Sequence, residues 1–349
     1  MKAVRWHARH DVRYERIPEP PSPGAGEVMV EVAYCGICGS DVHEYLYGPT
    51  QVPTAPHPLT GRRAPVVLGH EVAGWVAETG PGARFPAGTP VVLNALEWCG
   101  RCRQCLAGAA QRCEILGHIG MSADGGLARF LTVPAEMAVA VPASLPLDVA
   151  ALAEPFAVAA HAICRAGDPA GRRCLVLGAG TIGLATALLL REAGNEVFVA
   201  DADSHRLAAA AEHGFGELGA ASQSPDLVFE CAGGQTAPGE ALQLVAPGGL
   251  VVLTGLPGDL SQVDARDLVL RELRVTGSVG HVVDPDLTSA ISYLTAHPSQ
   301  ARRLITAVVP LAETVRGGLD RLSGPDRRSH TKVLVQVAGD VTTEVTGKR

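Results

Sequence analysis

The sequence lacks three features that would direct a chain to a membrane, to secretion or to a nucleic acid. Its 349 residues contain no apolar run as long as a membrane span, and the longest, near residues 184–190, ends at Arg191 and Glu192. No apolar segment follows the charged start at residues 1–7. The net charge is −7, which makes a polyanionic nucleic acid a poor partner. We therefore expect a cytosolic protein that binds neither membranes nor nucleic acids.

The composition is that of a folded protein with metal or thiol chemistry. Hydrophobic residues make up 47% of the chain and charged residues 19%, which is typical of a globular protein. The length is sufficient for two domains with hydrophobic cores. Nine cysteines in a cytosolic chain indicate metal binding or catalysis rather than disulfides.

Residues 33–74 carry the side chains with the strongest catalytic pattern. Cys38, His70 and Glu71 offer sulfur, nitrogen and oxygen donors, a set that a catalytic zinc accepts while leaving one position open. Ser40 and His43 are three residues apart and share one face of a helical turn. A hydroxyl and an imidazole placed in this way can pass on a proton. The alternative is a buried free thiol and an unrelated histidine.

A second cluster of thiols lies in a region of short predicted strands. Alternating runs at residues 2–6, 28–34 and 66–78, separated by Pro/Gly loops, predict a barrel-like, mostly β region. Within it, the pattern C-x2-C-x2-C-x7-C supplies four thiolates that can close a tetrahedral zinc shell without an open position. The four residues are Cys99, Cys102, Cys105 and Cys113. Reduced cysteines without metal and an iron–sulfur cluster are alternatives on these residues alone.

Glu154 is an acid within an apolar segment, directly before Pro155. Because proline suits the first position of a helix, the Glu154 carboxylate either caps that helix or reaches a metal. We interpret His57, His118 and His161 as structural, since no second ligand is spaced with any of them.

The second half carries a dinucleotide-binding pattern, G-x-G-x-x-G, between an apolar strand and an apolar helix. Such glycines permit a tight turn and let a pyrophosphate approach the helix N-terminus. An acid 23 residues beyond the first glycine favours NAD over NADP, because its carboxylate binds a ribose and repels a 2′-phosphate. Arg206, close to this acid in the sequence, either weakens the preference for NAD or stacks over adenine. The alternative for the whole motif is a Rossmann-like unit that binds a different nucleotide. The predicted cofactor contacts are Gly178, Gly180, Thr181, Ile182, Gly183, Asp201, Arg206, Cys231, Ala232, Gly255 and Leu256.

One interval in this half is too short for a complete unit. Only 12 residues separate His213, which ends the second predicted helix, from Asp226. A crossover to a parallel strand takes a dozen or more residues by itself. We therefore expect a vestigial third strand, no third helix and a plain loop at 220–225.

The last part of the chain changes pattern again. Helices are predicted over 284–296 and 312–322, and strands over 305–309 and 332–337, in a tail that returns to the first domain. Residues 338–349 are expected to fray. We place the domain boundaries at 1–156 (with the cysteine lobe at 95–115), 157–283 and 284–349.

These motifs resemble those of the zinc-dependent medium-chain alcohol dehydrogenases, and within them the sorbitol, threonine and 2,3-butanediol dehydrogenase branch. The resemblance spans nearly the whole chain. It rests on Cys-Gly-Ile-Cys-Gly-Ser-Asp-Val-His at 35–43, Gly-His-Glu at 69–71, the four-cysteine lobe, Glu154-Pro155 and the GAGTIG turn. Residues 1–7, 43–49 and 52–61 are similar to the (R,R)-butanediol (acetoin) dehydrogenases.

The resemblance implies an α/β fold in which a GroES-like, mostly β catalytic domain accompanies a Rossmann doubly wound parallel sheet. It implies that Cys38 and His70 hold a catalytic zinc, with Glu71 as a ligand or exchanging with water. Glu154 would occupy the remaining ligand place or lie just behind it. The cysteine lobe would hold a structural zinc, giving two zinc ions per chain.

By the same resemblance, Ser40 contacts the reacting oxygen and His43 connects it to solvent. The implied activity interconverts a secondary alcohol, such as a small vicinal diol or polyol, and its ketone with NAD(H), in a homodimer or homotetramer. One alternative is the same chemistry on a sugar alcohol or a biosynthetic intermediate. A second alternative is a zinc-free NADPH quinone or enone reductase, but such a protein would not need the intact zinc ligands. A third is a non-catalytic nucleotide-binding protein, but such a protein would not need the proton relay of Ser40 and His43.

Overall fold

A computed structural model describes residues 1–167, 170–219 and 223–338. Contacts divide the chain into two compact units, Met1–Glu154 with Leu294–Arg349, and Pro155–Tyr293. The predicted domain boundaries at residues 156 and 284 stay predictions. The expectation for residues 339–349 lies outside the described residues.

The strands are numbered in chain order. They are β1 Lys2–Ala8, β2 Asp11–Arg16, β3 Glu27–Ile37, β4 Val66–Val67, β5 Glu71–Thr79, β6 Pro90–Leu93, β7 Leu96–Glu97, β8 Gly117–His118, β9 Phe130–Pro134, β10 Ala138–Ala140, β11 Arg173–Leu177, β12 Glu196–Ala200, β13 Leu227–Glu230, β14 Leu250–Leu253, β15 Arg274–Gly277, β16 Ile305–Pro310 and β17 Lys332–Gln336.

The helices are numbered in the same way. They are α1 Gly39–Tyr47, α2 Arg103–Leu106, α3 Leu147–Ala150, α4 Ala153–Ala166, α5 Thr181–Glu192, α6 Ser204–Glu212, α7 Ala237–Leu244, α8 Ala265–Leu270, α9 Thr288–Ala296, α10 Pro298–Arg302 and α11 Asp320–Ser323. Short 3-10 turns occupy Ala110–Arg112, Ala135–Met137, Leu311–Glu313 and Pro325–Ser329, and π turns occupy Val283–Leu287 and Thr314–Leu319.

The first unit is built mainly from antiparallel sheets. A seven-stranded sheet has the order β10-β6-β5-β3-β17-β16, with β9 also paired to β3, and a three-stranded sheet has the order β2-β1-β4. Strand β3 is the centre of the larger sheet, and its sequence EVMVEVAYCGI is almost wholly buried. Pairing of β3 with β5 and with β17 brings residues far apart in the chain to the end of β3, at Gly36 and Ile37.

Two predicted elements of this unit are irregular. The run predicted as one strand over 66–78 is interrupted between β4 and β5, at residues 68–70. Gly69 has φ +93°, and a Cβ atom there would lie 2.6 Å from the Cys35 sulfur, so the chain turns where a side chain does not fit. The helix predicted over 312–322 is instead a 3-10 turn, a π turn and the short α11.

The second unit contains a five-stranded parallel sheet with the order β12-β11-β13-β14-β15. Its core includes Leu175, Val228 and Val251 from three adjacent strands. Helix α5 packs on β11 and β12, and α7 packs on β13 and β14. This arrangement confirms the predicted Rossmann-type sheet.

The shortened interval is also confirmed for the residues that the structure describes. Between α6 and β13, residues 214–219 and 223–226 contain no named strand or helix. A single parallel bridge between Phe198 and Gly216 is what remains of a strand beside β12. Residues 220–222 of the predicted loop lie outside the described part of the chain.

No helix in the described ranges has both the length and the apolar character needed to cross a membrane. His161, interpreted above as structural, is buried in the second unit, where its Nδ1 lies 2.7 Å from Asp286 Oδ2.

Candidate active site

Three predicted metal ligands converge in the first unit. One donor atom each of Cys38, His70 and Glu71 lies within 4.8 Å of the other two. Cys38 follows β3 and caps α1, where its backbone N–H donates to Asp41 Oδ2 at 2.9 Å. His70 occupies the break before β5, and Glu71 is the first residue of β5. The antiparallel pairing of β3 with β5 therefore assembles the set.

Gly36 permits the close approach of the two strands at this point. It is paired with Glu71 across the β3–β5 ladder. A Cβ atom on Gly36 would lie 1.8 Å from Glu71 Oε2, which no side chain could tolerate. The glycine between Cys35 and Ile37 thus makes room for the Glu71 carboxylate.

The two ring nitrogens of His70 face different partners. Nδ1 lies 3.7 Å from Asp41 Oδ1, and Nε2 lies 3.3 Å from Ser40 Oγ. Burial lowers the pKa of His70, but the negative charges of Asp41 and Cys38 outweigh burial and raise it to about 10. The His70 ring therefore binds a positive species, either a proton or a metal ion, more readily than a free imidazole does.

Sequence reasoning missed the role of Asp41, whose side chain is fully buried. It appears in the sequence only as an acid in the first turn of α1, a common capping position. Burial raises the pKa of Asp41 against the opposing influence of His70. The carboxylate accepts a hydrogen bond from the Cys38 backbone and faces His70 Nδ1 at 3.7 Å, so it positions one of the three ligands and acts electrostatically on a second.

Sequence reasoning also missed Lys332, on β17. Its Nζ lies 2.6 Å from Glu71 Oε1 and 2.7 Å from Oε2, and it donates to the Ile37 carbonyl at 3.0 Å. Both side chains of this pair are at most 3% exposed. Burial lowers the pKa of Lys332, but the charge of Glu71 opposes this effect and the net pKa is raised. In the sequence, the signal for this role was a lysine directly before the apolar run at residues 333–335, because lysine is rarely buried unless it is paired.

Glu154 lies at the start of α4 and is 9% exposed. Burial raises its pKa to about 7, and the negative charge of Glu71 adds to this effect, while His70 opposes it. Its carboxylate is therefore close enough to His70 to interact electrostatically. It does not belong to the group of three whose donor atoms lie within 4.8 Å.

Helix α1 carries both residues of the predicted relay. Ser40 is half-buried beside the His70 ring, whereas His43 is exposed. The His43 ring contacts the Tyr47 ring at a centroid distance of 5.0 Å. The helix thus runs from the ligand set towards solvent, which suits the order predicted for proton transfer.

The ligand set fits a catalytic zinc. It combines a thiol, an imidazole and a carboxylate, the mixed donors that zinc accepts. Asp41 Oδ1 and His70 Nδ1 are buried without a hydrogen bond, and the carboxyl groups of Asp41 and Glu154 both act on the His70 ring. A divalent cation at the ligand set would take the place of the proton that these acids favour on His70.

The four cysteines of the lobe also converge. Their sulfurs all lie within 4.8 Å of one another, with Cys102 and Cys105 3.4 Å apart and Cys99 and Cys105 4.0 Å apart. Sulfurs about 2.3 Å from a tetrahedral zinc are about 3.8 Å apart, so the spacing fits the ion. Backbone N–H groups lower the pKa of Cys102 to about 6. Desolvation and the neighbouring Cys102 raise that of Cys105 to about 12.

In the second unit, each glycine of the GAGTIG turn has a distinct role. Gly178 has φ +100°, and a Cβ atom on Gly183 would lie 1.7 Å from the Gly178 carbonyl oxygen. At Gly180, which caps α5, a Cβ atom would meet nothing within 4 Å. The turn therefore leaves open space at the N-terminus of a twelve-residue helix, as a bound pyrophosphate requires. Thr181 and Ile182 begin this helix.

Asp201 follows β12 and is committed to the backbone around the turn. Its Oδ2 accepts the Ala179 N–H at 2.8 Å, and its Oδ1 accepts the Asp203 N–H at 2.9 Å. Arg206 Nη1 lies 3.8 Å from Oδ2. The structure brings Asp201 to the glycine turn, and the predicted ribose contact stays a prediction.

The two remaining loops meet at a buried carboxylate that sequence reasoning missed. Glu230 is fully buried, and its Oε1 accepts N–H groups from Ala232 at 2.8 Å and Gly233 at 2.7 Å. Its backbone carbonyl accepts the N–H groups of Thr254 and Gly255. Glu230 therefore holds together the loops that carry four predicted cofactor contacts, Cys231, Ala232, Gly255 and Leu256.

Comparison with known proteins agrees with this combination of sites. Residues 24–143 match the family model "Alcohol dehydrogenase GroES-like domain", and residues 181–295 match "Zinc-binding dehydrogenase". These matches define a zinc-binding dehydrogenase with a GroES-like domain and a Rossmann-type sheet. The chain is 32% identical to the (R,R)-butanediol dehydrogenase of Bacillus subtilis strain 168, over 96% of this chain and 99% of that protein. The chain belongs to the zinc-containing medium-chain alcohol dehydrogenases, as its motifs predict.

Two solved structures add information on cofactors. An alcohol dehydrogenase of Escherichia coli CFT073 in complex with NADH is 28% identical, with a TM-score of 0.83 and coverage of 96% of this chain and 99% of that one. A zinc-binding dehydrogenase of Sinorhizobium meliloti 1021 bound to NADP is 31% identical, with a TM-score of 0.82 and coverage of 96% and 98%. Relatives at this distance thus bind either dinucleotide.

Proposed function

We propose that this dehydrogenase interconverts a secondary alcohol, a small vicinal diol or polyol, and the corresponding ketone with NAD(H). The observation that carries the proposal is the convergence of Cys38, His70 and Glu71 beside Ser40. The B. subtilis relative is a (R,R)-butanediol dehydrogenase, which supports a diol substrate. A sugar alcohol is the second candidate, because one similar solved structure is a galactitol-1-phosphate dehydrogenase of Escherichia coli.

The metal sites have separate roles. Cys38 and His70 would hold the catalytic zinc, with Glu71 or Glu154 completing the set. Zinc bound there supplies Lewis acidity that lowers the pKa of an alcohol or polarises a ketone. The four-cysteine lobe would hold its zinc without an open position and keep its loop rigid.

The residues of this chain then handle the proton. The Ser40 hydroxyl, next to His70 Nε2, accepts a hydrogen bond from the substrate hydroxyl and passes the proton on. His43, exposed one turn later on α1, delivers it to solvent. Asp41, at 3.7 Å from His70 Nδ1, favours positive charge on the His70 ring. A nicotinamide cofactor, when bound, would supply the hydride acceptor for the carbinol carbon.

NAD is the proposed dinucleotide because Asp201 places a carboxylate beside the glycine turn, where it would repel a 2′-phosphate. Arg206 at 3.8 Å is the feature that opposes this choice. A cytosolic location and a homodimeric or homotetrameric state stay predictions, and gel filtration with light scattering would test the second.

The test combines metal analysis with an NADH absorbance assay. The purified chain should contain two zinc ions and should reduce NAD with butane-2,3-diol faster than with sorbitol, threonine or a primary alcohol. Cys38→Ser should lose one zinc and nearly all turnover, whereas Cys164→Ser, at an exposed thiol, should retain both. Normal rates and two zinc ions in Cys38→Ser would refute the metal assignment. A zinc-loaded enzyme that oxidises no secondary alcohol would refute the proposed reaction.

A further inference from the structure

His118 lies directly beside the predicted metal ligand His70. The centroids of the two imidazole rings are 4.6 Å apart and their planes are inclined by 53°. His118 is half-buried, whereas His70 is 2% exposed. His118 is not a member of the group of three ligands. Its ring is therefore a neighbour of the metal site and not a part of it.

The backbone around His118 is fixed by a dense set of hydrogen bonds. Its N–H donates to Ser122 Oγ at 2.8 Å, and its carbonyl accepts N–H groups from Met121 at 3.1 Å and Ser122 at 2.9 Å. Its strand β8 pairs with β7. Because its backbone is held in this way, the segment around His118 loses little conformational freedom when a ligand binds.

The same segment is packed tightly onto the residue before His70. Gly120 has φ +78°, and a Cβ atom there would lie 2.6 Å from the carbonyl carbon and oxygen of Gly69. A larger residue at 120 would therefore push the segment away from Gly69. This contact keeps the His118 ring at its distance from His70.

We propose that His118 is a specificity-determining residue that hydrogen-bonds the second oxygen of a vicinal diol or α-hydroxyketone. This inference rests on the proposed function. The reacting oxygen of the substrate belongs between the metal ligands and Ser40, and His118 lies one side-chain layer from the same His70 ring. A single imidazole nitrogen donates or accepts according to the tautomer, so one nitrogen of His118 can bond a hydroxyl of the diol or of the hydroxyketone.

The competing explanation is that His118 only packs against His70. An aromatic ring of similar size would then do as well. A polar contact to the substrate instead predicts discrimination between a diol and a mono-alcohol, because a site built to hydrogen-bond a hydroxyl loses affinity when one partner is absent.

The experiment compares butane-2,3-diol with butan-2-ol, which lacks the second hydroxyl. His118→Phe retains a ring against His70 but no hydrogen bond, and His118→Gln retains a donor and an acceptor. The ratio of kcat/KM for the diol to that for the mono-alcohol should fall about tenfold in His118→Phe, mainly through KM for the diol, and should be partly restored in His118→Gln. His10→Phe, at an exposed histidine, should leave the ratio unchanged.

Two measurements without turnover accompany the assay. Zinc content should stay at the wild-type value in all variants. Calorimetric titration with each alcohol should show that His118→Phe weakens binding of the diol more than that of the mono-alcohol. An equal fall for both alcohols, an unchanged ratio or a loss of zinc in His118→Phe would overturn the inference. Failure of the wild-type enzyme to oxidise either alcohol would instead refute the proposed function.

Discussion

Replacing Lys332 by methionine removes the single positive charge that faces the buried Glu71 carboxylate. Methionine has a similar length and no charge, so the substitution changes the volume of the site very little. The ammonium contacts both carboxylate oxygens, at 2.6 and 2.7 Å, and both side chains are at most 3% exposed. Water therefore cannot replace the lost partner, and Glu71 would remain as an uncompensated buried anion.

The expected cost follows from this geometry. Removing one member of a buried ion pair destabilises a protein by about 3 to 5 kcal/mol. The first unit comprises Met1–Glu154 and Leu294–Arg349, roughly 200 residues, for which the unfolding entropy predicts a fall in Tm of about 7 to 12 °C.

Differential scanning calorimetry at one scan rate and fixed zinc concentration would measure this change. Lys332→Arg keeps the charge and should recover most of the Tm. Lys2→Met is the matched surface control, since Lys2 lies 5.0 Å over the Tyr14 ring and its loss should cost at most about 1 kcal/mol. If Lys332→Met melted with the wild-type protein at neutral pH, the buried pair would not stabilise this unit as argued.

Three further predictions concern the other sites. Ser40→Ala should lower kcat about 100-fold or more, whereas Ser40→Thr, which keeps a hydroxyl, should retain most of the wild-type kcat. An equal kcat in Ser40→Ala and the wild type would show that Ser40 takes no part in proton transfer. The cysteine lobe should lose its zinc in acid, because the metal needs the four thiols as thiolates and protons compete for them. Metal analysis after dialysis at stepped pH would show this loss, and one zinc ion retained per lobe at every acid pH tested would contradict it. Asp201→Ala should narrow the preference of kcat/KM for NAD over NADP, and an unchanged ratio would exclude Asp201 from cofactor selection.

Much of the site could be predicted from sequence because its residues lie in short local motifs. The four cysteines of the lobe lie within fifteen positions, and the glycine turn lies between a strand and a helix that are each locally encoded. The shortened interval after His213 followed from chain length alone, since too few residues were available for a crossover. In each case the evidence did not depend on how distant strands pair.

The residues that were missed depend on pairing across long sequence separations. Lys332 is 261 residues from Glu71 and reaches it through the antiparallel register of β17 with β3. The sequence shows His118 but not its contact with the His70 ring, which depends on the packing of Gly120 on Gly69. Asp41 was visible in sequence, but its position suited a helix cap equally well. Only the folded sheet distinguishes these roles.

The register of β3 with its two neighbours decides the electrostatics of Glu71. On one side, Gly36 leaves room for the carboxylate, and on the other, Val333 pairs with Ile37 and so brings Lys332 to the same point. The ammonium and a zinc ion attract the same carboxylate, so the pairing with Lys332 weakens Glu71 as a ligand. Burial and the charge of Glu71 raise the pKa of Glu154 to about 7, against the opposing charges of His70 and Lys332. A metal ion near Glu154 would recover part of the cost of burying its carboxylate. Although Glu71 lies closer to Cys38 and His70, we therefore expect Glu154 to contribute more to metal binding than this distance suggests.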